Sequence, residues 1–255
     1  MRDKLNLFLY FLKKDIKVKF AGSGLGLLWS IIVPVIQVVL FWFVFAEILK
    51  ARPYANMEMP YIYFLLSSFF FWLAFSEGIF RSAHVIIENS EIIKKISFPH
   101  VILPVTVTAS SYILNMIGFL FFIIFYTVST TLSPFFLWII PVLSMQFIFS
   151  LGIGMLLAAL LPYVRDIGQM LGHIMQATFF LSPIIYSMEA VPDKLKTFLY
   201  LNPMTYFASS YHKIILFHEP PSLLFFGVIV CISMAAFWGG YYAFRKLNDG
   251  FADVL

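Results

Sequence analysis

The chain has 255 residues, 61% of them apolar and 19% aromatic, and its 12% of charged residues is about half the share of an ordinary soluble domain. A water-soluble unit of this size buries only about three quarters of its extended surface, so much of this apolar content must face lipid. The formal charge of +4 comes from short clusters between apolar runs, which argues for membrane topology and against a nucleic-acid footprint, and the lone Cys231 excludes an intrachain disulfide or a cysteine metal cluster.

The first element in chain order is an amphipathic helix. Leu5, Phe8, Leu9, Leu12 and Ile16 follow i, i+3, i+4 spacing, while Lys13, Lys14 and Lys17 project from another face. That pattern serves equally as an anchor on anionic headgroups and as a cytoplasmic docking element. Gly22-Ser-Gly-Leu-Gly26 lacks the third glycine and the preceding strand of a dinucleotide loop, so it reads as a joint to the first span. No cleavable leader is expected, because mixed residues precede the first apolar run and no small-x-small site follows it.

About 20 apolar residues cross a hydrocarbon core of about 30 Å. Six stretches qualify: 27–49, 61–80, 102–128, 135–161, 168–187 and 223–244. An even number places both ends on one side. Twelve Lys and Arg fall in the gaps on that side and five in the gaps opposite, so the positive-inside rule makes both termini cytoplasmic. Prolines 34, 104, 141 and 183 predict kinks. Gly168 with Gly172, and Ala235 with Gly239, form small-xxx-small pairs whose simplest role is close packing within the chain.

Two connections exceed simple loops. Between the second and third spans, Asn89 or Ser90 is placed to cap a short helix carrying Ile92, Ile93 and Ile96, with Lys94 and Lys95 near its end and Pro99 beyond. Its isoleucines want either a partner surface or lipid headgroups. On the exterior, Val191-Pro192-Asp193 opens one short helix, Asn202-Pro203 opens another bearing Tyr206, Phe207 and Tyr211, and Pro220-Pro221 ends it. These helices dip partly into the membrane, as a gate or as an aromatic cap. The expected fold is therefore an all-α membrane protein with one transmembrane domain over 1–255. It comprises an interface helix (1–23), spans one to five (27–187), re-entrant exterior helices (188–221), a sixth span (223–244) and a cytoplasmic tail (245–255).

Catalytic chemistry is not evident. None of the thirteen glycines precedes a lysine, so the chain has no Walker A loop and any ATP is handled elsewhere. His84, Glu88 and Glu91 share helical spacing without a further convergent ligand. Glu47 and Glu77 lie near membrane surfaces, shallower than an ion-driven carrier requires, and Glu77 can pair with Arg81 at i, i+4. Aromatic runs such as Phe69-Phe-Phe-Trp-Leu-Ala-Phe75 suit either sugar faces or acyl chains.

Several segments together resemble the membrane subunit of type-2 ABC exporters, particularly the Wzm-like permeases of lipid-linked polysaccharides such as O-antigen or teichoic acid. They are Asp15-Ile16-Lys17; Leu25-Gly26-x-x-Trp29 with Pro34; Ile92-x-Lys94-Lys95 with Phe98-Pro99 and Leu103-Pro104; Arg165-Asp166-Ile167; Ser182-Pro183-Ile184-x-Tyr186; and Asn202-Pro203. The resemblance implies an inner-membrane homodimer joined to two cytoplasmic ATPase subunits, which bind the MgATP; this chain carries no cofactor of its own and meets membrane lipids and a lipid-linked glycan but no nucleic acid. It implies a coupling helix in the segment from Glu88 to Ser97, comprising Glu88, Asn89, Ser90, Glu91, Ile92, Ile93, Lys94 and Lys95. It also implies a packed interface helix with Lys13, Lys14, Asp15 and Lys17, and exterior gate helices with Asn202, Pro203, Tyr206, Phe207 and Tyr211. Candidates for substrate entry or pore lining are Trp29, Phe70, Trp72, Glu77, Arg81, Arg165, Asp166 and Tyr186. Many relatives place a basic residue and then an acid after Phe-Pro, whereas this chain has His100-Val101. Export of a drug, haem or small lipid by the same fold, an intramembrane enzyme acting on a lipid-linked intermediate and an ion-coupled carrier are the competing expectations.

Overall fold

The computed structural model describes residues 2–19, 21–54, 59–96 and 98–255. Among them there is no strand; the elements are α1 (Arg2–Lys19), α2 (Trp29–Trp42), α3 (Tyr61–Glu88), α4 (Ser90–Lys95), α5 (Ile102–Ser129), α6 (Ile139–Leu160), α7 (Asp166–Phe180), α8 (Asp193–Leu199), α9 (Pro203–Leu216), α10 (Leu223–Leu247) and α11 (Phe251–Val254). Five helical stretches are long and apolar enough to cross a membrane: Trp29–Ile48, Tyr61–Glu88, Ile102–Ser129, Pro134–Leu160 and Leu223–Gly250. At 1.5 Å per residue, the 28 residues of α3 reach about 42 Å, so its ends extend well beyond the hydrocarbon.

Local chemistry fixes the helix ends. α1 finishes with Lys17 and Lys19, whose charges complement the carbonyl end of the helix dipole, and Gly22 turns the chain at φ 80°. α2 widens into π-helical turns over Phe43–Ile48, with the Leu49 amide on the Val44 carbonyl at 2.9 Å, and stops at Lys50 in a left-handed conformation. Asn202 accepts from the Met204 amide at 3.0 Å with Pro203 at the first helical position, and Ser222 accepts from the Phe225 amide at 3.3 Å, capping α9 and α10.

α3 is the hub, packed by α5, α6 and α9, while α10 lies along α6 and α1 lies against α5. Two apolar cores follow. One, away from α1, gathers Phe64, Phe71, Phe149, Phe207 and Tyr211. The other joins α1, α4 and α11 to the neighbouring ends of the spans through Phe11, Val85, Ile86, Ile93, Met155, Phe244 and Phe251.

Two expectations from the sequence need correction. The stretch 168–187 is not helical throughout: α7 has 15 residues, about 22 Å, and gives way at Phe180 to turns in which Ser182, Pro183, Ile184 and Ile185 are buried. Pro183 lacks an amide donor and disfavours helix at the residue before it. Such backbone is tolerated within protein where side chains satisfy it; the Tyr61 hydroxyl donates to the Ile185 carbonyl at 2.8 Å, and Asn202 donates to the Thr178 carbonyl at 3.1 Å.

The other correction concerns the small residues. The close helix pair uses Ala236 and Gly240, one residue along from Ala235 and Gly239: a Cβ on Gly240 would stand 1.9 Å from the Gly152 carbonyl oxygen, and one on Gly152 2.3 Å from the Ala236 carbonyl carbon. A Cβ on Gly239 or Gly172 meets nothing within 4 Å, whereas one on Gly168 would lie 3.1 Å from the His84 ring. The sequence spacing identified the right helix but the wrong side of it.

Candidate functional site

α1 is moored by a face that its lysines and leucines do not advertise. Phe11 is buried and stacks on Phe98 with ring centroids 5.5 Å apart, while Leu5 and Leu9, two residues of the predicted apolar stripe, are exposed. Four residues beyond Phe11 and on the same side, Asp15 enters a polar cluster. Its carboxylate accepts from Arg81 Nη2 at 2.6 Å and from the Ser110 hydroxyl. Arg81 Nη1 also donates to Ser110 Oγ at 3.1 Å and lies 3.6 Å from Glu77 Oε1. Glu77 accepts from Lys19 Nζ, from Ser111 Oγ at 3.2 Å and from Asn115 Nδ2 at 3.0 Å.

The four charged side chains are 17–26% exposed. Two cations and two carboxylates neutralise one another, and α5 supplies the remaining hydrogen bonds, which is the condition under which partly buried ions are tolerated. The predicted Glu77–Arg81 pair is present. Sequence reasoning missed Asp15 and Lys19 as its partners because 58 to 66 residues separate them from α3; a weak signal was that Asp15 is the single acid among the lysines of the second half of α1.

This clasp forms the floor of a groove. A cavity of about 570 Å³ is lined by Lys19, Glu77, Arg81 and Asn115 at one end and by Trp29, Ser30 and Gln37 of α2 along its side. It shares Gln37, Leu73, Ser76 and Met175 with a further cavity of about 230 Å³ that continues to Phe41, Phe69, Trp72 and Phe179. The two adjoin in one groove between α2, α3 and α7, charged at its foot, mixed in the middle, where Gln37 and Ser76 stand among Val33, Pro34, Leu73 and Met175, and aromatic above. Lys19 and Arg81 also border a cavity of about 520 Å³ on the far side, with Lys14, Asp15, Glu88 and Asn89, so the clasp stands as a partition.

Of the entry and pore candidates, Trp29, Glu77 and Arg81 meet at this foot, and Trp72 borders the upper groove although it is 6% exposed. Phe70 turns instead to Gly118, where a Cβ would meet its ring at 2.2 Å. Arg165 borders a separate cavity with His84 and Gly168, and the exposed Asp166 starts α7 beside it; neither joins the clasp. Tyr186 donates to the Phe180 carbonyl at 2.9 Å, bracing the unwound turn.

The expected coupling segment contains α4. Asn89 occupies its N-cap position without a side-chain cap bond; its amide closes α3 by donating to the Val85 carbonyl at 2.9 Å. Ser90 begins the helix and likewise does not cap it. Glu88 is exposed, and the exposed Glu91 and Lys95 pair across one turn at 2.9 Å. Ile93, expected to reach a partner or lipid headgroups, is 7% exposed within the core it shares with Phe11 and Val85, Ile92 is half-buried, and Ile96 at 59% is the exposed one. Lys94 is exposed beside them, and Ser97 lies outside the described residues. The departing residue after Phe-Pro, His100, finds a partner through Nδ1 and Asn248 Oδ1 at 2.9 Å, and its ring lies 6.3 Å from that of Phe251 in α11. Of the interface-helix set, Lys13 and Lys17 are exposed and Lys14 lies over the Phe11 ring at 5.8 Å.

At the other end of α3, α8 and α9 start where Pro192 and Asn202 predict. α9 sits deeper in the protein than an interfacial cap. Phe207 and Tyr211 are buried, Tyr211 stacks on Phe71 at 3.7 Å and donates to Gln146 Oε1 at 2.6 Å, and Gln146 Nε2 donates to the Phe71 carbonyl at 2.8 Å. Tyr206 stays near the surface against Tyr200 and Phe225. His212 was not anticipated: it is buried, within 3.0 Å of Ser68 Oγ. Among the described residues no three His, Cys, Asp or Glu side chains converge as a metal site.

Long apolar helices packed around α3, with the short α4 at one end, make up a membrane-spanning bundle. Residues 6–216 match the family model for the ABC-2 type transporter, and the chain belongs to that family. It is similar to two Klebsiella pneumoniae proteins named O-antigen export system permease protein RfbA, at 26% and 27% identity over 260 residues, covering 98% of this chain and 95% of theirs. A Myxococcus xanthus protein of the same name is 22% identical over 259 residues with the same coverage.

Proposed function

We propose that this chain is the membrane permease of an ATP-driven exporter that moves a lipid-linked, O-antigen-like polysaccharide outward across the inner membrane. The observation that carries the reading is the graded groove: a partly buried charged foot, a middle where Gln37 and Ser76 stand among apolar side chains, and an aromatic upper wall, running between α2, α3 and α7. A lipid-linked glycan has the same order of chemistries, with phosphate beside the membrane surface and sugar rings behind it. The permease names of its full-length relatives support the same substrate class.

In this reading two copies face each other across their grooves, both termini are cytoplasmic, and MgATP is bound and hydrolysed by a separate ATPase subunit docked on each copy. No bond of the cargo is broken here. Glu91, Lys94, Lys95 and Ile96 of the α4 segment form the docking face, while Ile93 roots that segment in the core shared with Val85, Leu103 and Phe11. Force on α4 thereby reaches the inner ends of α3 and α5, where the clasp lies. Both clasp cations are already committed to carboxylates, so the lipid phosphate enters by exchanging with Glu77 for Lys19 and Arg81.

Vesicles containing this chain and its ATPase should shield added lipid-linked glycan from an exterior glycosidase only when ATP is supplied; shielding without the ATPase would defeat the reading. Ile96→Asp should release the ATPase during co-purification while the permease stays folded.

A further inference from the structure

The end of the molecule opposite α4 contains a separate pocket, of about 350 Å³, between α9, the start of α10 and the segment around Glu189. It lies within the roughly 300–1,000 Å³ of small-ligand clefts. Its wall is aromatic: Tyr200 and Phe217 are 37% and 36% exposed, and Tyr54 meets Phe217 edge-on at 4.8 Å. Its polar groups differ from those of the clasp. Lys213 pairs with Glu219 at 3.2 Å, and Glu189 adds a second carboxylate. One ammonium against two carboxylates repels a phosphate and suits a ligand rich in hydroxyl groups.

The rim is held in a particular shape. His218 adopts φ 56°, a left-handed conformation uncommon outside glycine, and the Glu219 amide returns to the Lys213 carbonyl at 3.1 Å. That turn sets Lys213 and Glu219 side by side. Burial, and secondarily the charge of Glu189, push the Tyr54 hydroxyl above the ordinary phenol range, so it remains a protonated donor at the pocket wall.

We propose that this pocket is an exterior saccharide-binding site, which holds a short, uncharged or amino-sugar segment of the exported glycan by ring-face contact with Tyr200 and Phe217 and by hydrogen bonds to Glu189, Lys213 and Glu219. The inference rests on the export reading, but it assigns a second sugar contact away from the groove.

A thiol probe tests it, because Cys231 is the sole cysteine of the chain. In a Cys231→Ser background, Ser209→Cys places a thiol in the pocket wall, and Ser222→Cys is the alternative if the former does not fold. Labelling with a membrane-impermeant maleimide is followed in cells that make the lipid-linked glycan and in cells that cannot, with surface glycan measured alongside. The expected result is labelling about fivefold slower during export, the protection given by a site occupied roughly four-fifths of the time, and return to the unprotected rate with Tyr200→Ala plus Glu219→Gln. Equal labelling in both cell types while glycan reaches the surface overturns the pocket and leaves the export reading intact. Protection that survives Tyr200→Ala plus Glu219→Gln also overturns it, since the glycan would then merely screen the surface. Absence of surface glycan when permease and ATPase are both produced overturns the export reading itself.

Discussion

α2 and α3 are both apolar spans, yet they solve opposite problems. In an 18-residue apolar stretch of α3, 72% of the residues are buried, against 11% in the span Trp29–Ile48 that contains α2, although the latter is the more hydrophobic of the two. Between two membrane helices there is no hydrophobic driving force, because lipid tails are as apolar as leucine. Polar side chains therefore go to the interior, where other side chains can satisfy them. α3 carries Ser67, Ser68, Glu77, Arg81 and Ser82 into the bundle, whereas α2 presents Val33, Val35, Ile36, Val39 and Leu40 outward. In this protein apolar side chains fill the core and the outward faces alike, so it is the polar residues of a span that mark which helix lies inside.

The largest effect should come where exposure misleads. α10 is nearly as uncovered as α2, at 17% buried, yet Gly240 abuts the Gly152 backbone. Gly240→Val should cost about 3 kcal/mol or prevent folding, as overpacking does, while Gly239→Ala should leave the thermal midpoint in detergent unchanged. Equal responses of the two would show that the α6–α10 crossing is looser than its geometry. Next, Arg81→Gln takes the cation from Asp15, which keeps only the Ser110 hydroxyl, and leaves Glu77 with Lys19 as its remaining cation. The carboxylates' exposure of 17–26% brings the loss to about 2 kcal/mol, below the 3–5 of a fully buried pair. It should also free α1, detected as faster cleavage by protease near Gly22 to Gly26. Third, Gln146→Leu removes the partner of both Tyr211 and the Phe71 carbonyl, at about 1–2 kcal/mol; a silent Gln146→Leu would mean that water reaches this interior.

Sequence periodicity displayed some of this and hid the rest for a physical reason. The helix over α1, the starts of α8 and α9 at Pro192 and Asn202, and the Glu77–Arg81 pair all depend on neighbours within a few residues, so they were legible. Asp15 and Lys19 were not, since their partners come from α3 and α5. Nor could spacing tell which apolar stripe of α1 faces protein, because Leu5 and Phe11 are alike to lipid and to a core. The same ambiguity misplaced Ile93 outward and put the small-residue contact at Gly239 rather than Gly240. Register between helices is a tertiary fact, and a single amphipathic pattern carries no information on it.

The smallest expected effect lies on α2. Val39 is 52% exposed among the described residues, so Val39→Leu exchanges one apolar surface for another and should change the stability of the isolated chain by less than about 0.5 kcal/mol. Measured in detergent at a concentration where single copies prevail, the thermal midpoint should match that of the parent. The informative step is to repeat the measurement on the proposed assembly of two copies with the ATPase. If α2 borders lipid there, Val39→Leu remains silent. If the second copy packs on α2, the added methylene meets a close-packed partner, and the midpoint falls only in the pair. A loss already present in the single chain would contradict both outcomes and break the contrast between α2 and α3.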